Sequence, residues 1–176
     1  MVDLLDLLRQ RHVPITAFMV GTFVDANPDL VPRFKADGHE IANHTYTHLT
    51  FASLPAAQKE TEVVRCRDRL TQILGSGGTL FRPSGTSNGT DEPPKAVLDA
   101  ATSAGYAHVI GYDVDPADYA DPGSSAIVSR TLGAVQPGSI VSLHFGHQGT
   151  IDALPKILDG LASRNLTPVT VPKLLQ

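Results

Sequence analysis

Tryptophan is absent from this 176-residue chain, and cysteine occurs once, at Cys66. A lone thiol excludes a disulfide framework, so the fold must rest on its own core. Basic runs are missing too. Lys and Arg total 14 against 18 Asp and Glu, for a formal charge of -4, and no segment concentrates the positive charge that a nucleic-acid surface needs. No apolar stretch approaches the roughly 18 residues of a membrane span. The N-terminus shows no basic segment leading into an apolar run and a small-residue cleavage site, so no signal peptide is expected in this chain. Turn-forming residues, by contrast, are plentiful: 15 Gly and 13 Pro imply many turns and short elements. Hydrophobic residues at 41% and charged residues at 18% are ordinary for a globular protein. A chain of this length suits one domain, 1–176, which buries roughly 70% of the surface its unfolded form exposes.

Apolar runs alternate with helical patterns from end to end. Leu4, Leu5, Leu7 and Leu8 have the spacing of an amphipathic helix. Residues 13–20 read as a buried strand, rich in β-branched and aromatic side chains. A short helix starts at Asn27-Pro28 and stops at Asp37-Gly38, and 39–42 form a brief strand. The next helix is long, with Ser53 as its cap, Pro55 in its first turn, Val63, Val64, Leu70 and Leu74 on one face, and Gly75-Ser76-Gly77-Gly78 closing it. Further strands are expected at 80–82, 108–111, 139–143 and 168–171, and helices at 94–104, 124–135 and 151–164. Repeated units of this kind predict an α/β fold, a parallel sheet or barrel with outer helices. About six strands are visible, fewer than the eight of a complete barrel. Polar and histidine residues gather just past the strand ends: His44 and His48, 82–88, 113–119, and 144–147. That edge is where α/β proteins bind ligands.

His44-Thr45-Tyr46-Thr47-His48 is the sharpest local signal. On an extended strand, residues four apart lie roughly 13 Å from each other, too far to share an ion bound at about 2.0–2.1 Å. A helical turn brings them within about 5.4 Å. The spacing admits metal ligands on a helical turn and, equally, two unrelated surface or capping histidines. Arg82 stands at a strand end, where its fork holds a carboxylate or merely makes a surface ion pair. Asp113, Asp115 and Asp118 share one loop with Tyr119. Asp-Pro turn chemistry competes as their explanation, and it accounts for Asp121-Pro122. His144 ends an apolar strand, as a ligand-edge histidine or a satisfied structural one. His12, His39 and His108 sit at element ends and read as structural, and His147 as a loop residue. Cys66 falls in the long helix as a packed thiol. The acceptor pattern for N-glycosylation occurs at Asn43, Asn88 and Asn165, a number that chance supplies. No G-x-S-x-G elbow supports serine hydrolase chemistry.

Taken in order, these segments resemble the polysaccharide deacetylase family, carbohydrate esterase family four, also called the NodB homology domain. The likeness runs from Leu4 to Leu175. The family pattern comprises a Thr-Phe-Asp-Asp-Gly strand end, then H-[ST]-x-x-H, R-x-P, D-x-x-D-W and a late Leu-x-His or Leu-His. Residues 44–48 match the second segment in full. Arg82-Pro83 matches the third, although the family usually continues with proline and an aromatic where Ser84-Gly85 stand here. Residues 115–119 match the fourth with Tyr119 in place of Trp, and Leu143-His144 match the fifth. The first segment has no counterpart, because Asp3 and Asp6 sit inside a helical pattern.

The resemblance implies a distorted, TIM-like (β/α) barrel, incomplete here for want of the first strand. It implies a metal-dependent hydrolase that removes N-acetyl groups from a chitin-like or peptidoglycan polymer. A divalent ion, zinc or a similar first-row metal, would be held by His44 and His48, with the third protein ligand absent from this chain. His144 would give a proton to the leaving amine, with Asp118 keeping its imidazole protonated. Arg82 would orient the catalytic carboxylate, Tyr119 and Leu143 would line the acetyl-methyl pocket, and a backbone N–H in the Ser84-Gly85 turn would hold the oxyanion. A sugar ring would stack on Tyr46, Tyr112 or Phe145. Lacking the Asp-Asp segment, the chain is expected to bind metal weakly and hydrolyse poorly, with Arg82 turned to solvent or to Asp115. Two other readings share the fold: a non-catalytic carbohydrate-binding remnant, and an allantoinase-like hydrolase of cyclic amides. Family members act where their polymers are, so the full protein is expected outside the cytoplasm or at the cell wall.

Overall fold

A computed structural model describes residues 2–85 and 92–176. In chain order the elements are α1 (Val2–Gln10), β1 (Thr16–Met19), α2 (Gly21–Ala26), α3 (Val31–Ala36), β2 (Glu40–Asn43), α4 (Ala56–Leu74), β3 (Leu80–Phe81), α5 (Lys95–Ser103), β4 (His108–Val109), α6 (Ser124–Ala134), α7 (Gln148–Ser163) and α8 (Val171–Leu174). They fall into two compact units, Thr16–Gly111 and Met1–Ile15 with Tyr112–Gln176.

In the Thr16–Gly111 unit a parallel sheet runs in the order β1-β2-β3-β4. Thr16 pairs with Glu40 and Met19 with Asn43, and β2 meets β3 at Asn43 and Phe81. Parallel pairing places all strand ends of one polarity at one edge, so His44 and Arg82 both leave the sheet there. Of the face expected on α4, Val63 and Leu70 are fully buried and Val64 and Leu74 half-buried; Cys66, also fully buried, completes the inward stripe at spacings that follow the 3.6-residue turn. Gly75 ends it in the left-handed region, φ +75°. Beyond it, Gly78 (φ +76°) passes so close to β2 that a Cβ would lie 2.4 Å from the Ile41 carbonyl oxygen, which admits only glycine. Phe51, Val63, Phe81, Val97, Ala100, Ala101, Ala104 and Tyr106 make the core between α4, α5 and the sheet.

The other unit is mostly helical. Leu4 and Leu8 of α1 dock on Leu154 and Leu158 of α7, while Ile127 of α6 packs with Ala153, Ile157 and Leu161 of α7. Gly160 permits that approach, since a Cβ there would lie 2.4 Å from Leu132.

Several sequence expectations need correction. Residues 139–143 form no named strand, only a single parallel bridge between Val141 and Val114. The strand expected at 168–171 is absent: Val171 opens α8, whose first turn accepts a proline. The helix α2 went unread because it starts directly off β1 at Gly21 with no side-chain cap. The helix expected from Asn27 begins at Val31. Ser53 does not cap α4. It closes a 3₁₀ turn, its hydroxyl donating to the Thr50 carbonyl, and Pro55 takes the cap position. The polar run expected at 82–88 is described as far as Gly85, and its remainder, with the acceptor pattern at Asn88, lies outside the described residues. Among the described residues the sheet has four strands and ends at β1 and β4 rather than closing, and no helix is long and apolar enough to cross a membrane.

Candidate active site

β2 delivers His44 to the sheet edge. The segment to His48 is not the helical turn expected: Thr45 (φ +69°) and His48 (φ +60°) are both left-handed, at roughly 1–2 kcal/mol each for non-glycine residues. The bend nevertheless achieves what a helical turn was expected to do. The two imidazole centroids are 4.9 Å apart, edge to face at 71°. The ring Nδ1 of His44 lies 2.8 Å from the Arg82 carbonyl oxygen. A carbonyl only accepts, so Nδ1 carries the proton and Nε2 keeps its lone pair. That is the tautomer of a metal-ligating histidine with its outer nitrogen anchored, and the pair fits a divalent ion of the nitrogen-seeking kind. Among the described residues no third His, Cys, Asp or Glu joins such a cluster.

The loop is fastened on every side. Asn43, fully buried, accepts the Thr45 N–H on Oδ1 (2.9 Å) while its Nδ2 donates to the Val63 carbonyl. The Thr45 hydroxyl donates to Ser84 Oγ (3.0 Å), and Ser84 donates onward to the Leu49 carbonyl. Glu62, 4% exposed on α4, accepts from the N–H groups of Tyr46 and Thr47 and from the Thr47 hydroxyl. Tyr46 lies between the Gly21 backbone and the Arg65 guanidinium, 3.7 Å from the ring centroid, and its hydroxyl donates to Asp25.

These contacts revise several roles. Ser84 is fully buried and its hydroxyl is engaged at both ends, so the side chain ties the histidine loop to the strand end. Gly85 (φ +66°) turns against Thr50, where a Cβ would sit 3.0 Å from the Thr50 Cα. Arg65 occupies one face of the Tyr46 ring, and the Gly21 backbone crowds its Cδ2 side. Arg82 is 8% exposed and does not turn to solvent: it donates to the Ile110 and Gly111 carbonyls and lies 4.0 Å over the Phe18 ring.

The second group of site residues belongs to the other unit. Asp118 is fully buried and accepts three hydrogen bonds: from His144 Nδ1 (2.7 Å), from the His144 N–H (2.7 Å) and from the Thr150 hydroxyl (2.6 Å). Burial by itself pushes this carboxyl up, but the hydrogen bonds outweigh it and hold the pKa below the ordinary carboxylate range. With Nδ1 occupied, Nε2 of the partly exposed His144 ring is the nitrogen left to meet a ligand. Tyr119, 52% exposed, stands edge-on to that ring at 5.1 Å. Leu143 packs on the α6–α7 core, and Phe145 on the α1–α7 cluster. Asp115 accepts the Ala117 N–H in a local turn, so turn chemistry explains it. Asp121 (φ +49°) ends a 3₁₀ turn over Asp118–Ala120, and Gly123 takes the N-cap position of α6. Asp121 bonds His147 Nδ1 at 2.8 Å, a second histidine–aspartate pair that sequence reasoning missed. Burial pushes the Cys66 thiol up to about 12, away from the thiolate form that reacts.

Known proteins resemble this chain along most of its length. Residues 1–109 match the family described as Polysaccharide deacetylase. A chitooligosaccharide deacetylase of Bradyrhizobium sp. (strain ANU 289) is 37% identical over 145 residues, covering 82% of this chain and 64% of the relative. A peptidoglycan-N-acetylglucosamine deacetylase of Bacillus cereus is 37% identical over 178 residues, covering 99% of this chain and 81% of the relative. A family 4 carbohydrate esterase from Streptomyces lividans, solved with acetate, superposes with a TM-score of 0.84 at 29% identity, covering 95% of this chain and 83% of that one. This chain therefore spans under two thirds of the Bradyrhizobium relative's length and about four fifths of the others. The fold is of the α/β class with a histidine pair at its strand edge, and the chain belongs to the polysaccharide deacetylase family.

Proposed function

We propose that this protein is a metal-dependent hydrolase that removes N-acetyl groups from a chitin-like or peptidoglycan glycan, outside the cytoplasm where such polymers are exposed. The observation that carries this reading is the His44–His48 pair, two rings 4.9 Å apart with the outer nitrogen of His44 anchored to a backbone carbonyl. His44 and His48 would hold the divalent ion, which we take to be zinc. Such an ion, when bound, supplies charge that acidifies a water and polarises the amide carbonyl. Hydrolysis adds the water oxygen to the acetyl carbon, breaks the C–N bond, and requires a proton on the departing amine. His144 would give that proton from Nε2, with Asp118 fixing its tautomer and orientation through Nδ1. Tyr119 offers the exposed aromatic face beside it for the acetyl group or sugar ring. Arg82 and Ser84 act on the scaffold, holding the strand ends that carry the histidine loop.

The test is acetate release from N-acetylglucosamine oligomers and from peptidoglycan fragments, after chelation and again after Zn²⁺ is restored. Acetate that depends on the metal and vanishes in His44→Ala is the expected result. Zinc binding without acetate from either glycan would favour the carbohydrate-binding remnant, and ring opening of a cyclic amide in its place would favour the allantoinase-like reading.

A further inference from the structure

The loop that carries the two histidines is strained at both Thr45 and His48, and something outside it must hold it in that shape. Its two central amides, Tyr46 N–H and Thr47 N–H, point the same way and converge on one carboxylate oxygen, Glu62 Oε2, at 2.9 and 2.7 Å. The other oxygen, Oε1, accepts the Thr47 hydroxyl at 2.8 Å. Glu62 comes from the middle of α4, 15 residues beyond Thr47, and is 4% exposed. Among the described residues no Lys or Arg lies within ion-pair distance of it. Lys59, one turn away, instead donates to the carbonyls of Ala52 and Leu54, and Arg65 lies over Tyr46. A buried carboxylate is costly unless its charge is met by hydrogen bonds, and here all three donors come from the histidine loop. Glu62 and the loop therefore hold each other: the carboxylate needs the bend to be solvated, and the bend needs the carboxylate to collect its amides.

We propose that Glu62 is a positioning residue for the metal pair, acting through the backbone of Tyr46 and Thr47 to set the separation and aim of the His44 and His48 rings. The inference rests on the His44–His48 reading of the site. Asn43 and α2 grip the loop at Thr45 and Tyr46, Ser84 clamps Thr45 and the Leu49 carbonyl beyond His48, and Glu62 collects the amides of Tyr46 and Thr47, the segment that leads into His48. His48 is itself exposed, so its ring depends on backbone shape more than on packing.

Two measurements on the whole chain test the idea, neither of them activity. The first is hydrogen exchange in the metal-free protein. Glu62→Ala is expected to speed exchange at the Tyr46 and Thr47 amides at least 100-fold while Ala42, in β2, stays protected. The second is Zn²⁺ affinity by competition with a chromophoric chelator, together with the visible spectrum of the Co²⁺-loaded protein. Glu62→Ala is expected to weaken Zn²⁺ at least 10-fold and shift the Co²⁺ bands. Glu62→Gln keeps an acceptor oxygen for both amides and is expected to preserve the Co²⁺ spectrum with a smaller loss of affinity. Wild-type exchange and wild-type affinity in a folded Glu62→Ala protein would overturn the proposal. Should that variant fail to fold, Glu62→Gln decides. Exchange at Tyr46 and Thr47 that stays slow, with the Co²⁺ spectrum intact, supports positioning, whereas an altered Co²⁺ spectrum with slow exchange overturns it. His44→Ala separates the two layers of argument. If it leaves Zn²⁺ affinity unchanged, the histidine-pair reading falls, and the exchange data alone then judge whether Glu62 shapes the loop.

Discussion

His144 and Asp118 show how much a single residue's role depends on what it is bonded to. Three aspartates stand in the loop, at 113, 115 and 118, and of these Asp118 is buried and triply hydrogen-bonded. Because its native pKa lies below the ordinary 3.8, the carboxylate stabilises the fold above that pH, and this contribution is lost as pH falls through the depressed value. Asp118→Asn keeps the shape but can present an N–H to His144 Nδ1, favouring the wrong tautomer. We expect a fall of about 10²–10⁴-fold in kcat with little change in KM, measured by acetate release. An unchanged kcat would show that the pair is structural only. The order of motif residues in the chain was enough to mark Asp118. Its burial was invisible there, because the burying groups include Thr150, 32 positions away.

At the scale of elements, the short helix α2 and the histidine loop are one assembly. The Gly21 and Thr22 N–H groups donate to the Thr45 and Tyr46 carbonyls, and the Tyr46 ring lies against Gly21 so closely that a Cβ would sit 2.3 Å from Cδ2 and 3.0 Å from the Tyr46 Cα. A methyl group at that point pushes on the backbone of the loop as well as on its ring. Gly21→Ala is therefore expected to cost about 1–3 kcal/mol, read by urea unfolding, and to weaken Zn²⁺ binding in the same preparation. A wild-type midpoint would mean that the ring moves freely aside. Neither Gly21 nor Glu62 carried a sequence signal. Glycine after a strand reads as a turn, and a glutamate inside a long helix reads as its solvated face.

For the molecule as a whole, acid is the informative stress. His39 lies at the start of β2 and is 6% exposed. Burial, opposed in part by Asp37, lowers its pKa from the ordinary 6.5. The unfolded chain then takes up a proton that the native state resists, so stability declines as pH falls below about 6.5 and levels off once the native histidine is also protonated. Glu40 beside it works in the opposite sense. Burial raises its carboxyl above 4.5, and early proton uptake by the folded state returns some stability as that pH is approached. The difference between wild type and His39→Gln isolates the histidine: the variant's urea midpoint is expected to be flatter between pH 7 and 5, and parallel curves would refute the assignment. Read alone, the sequence determined the alternation of strand and helix, the apolar faces of α1, α4 and α7, and the ordered histidine, arginine and aspartate segments that mark the family. Periodicity and spacing are local, and a chain carries them whatever it touches. Tertiary structure decided the left-handed bend that brings two imidazoles together, the carboxylate behind it, the contacts that engage Tyr46 and the Ser84 hydroxyl, and the helix in place of a last strand. Each of these depends on which distant groups meet and on how much water they lose in meeting.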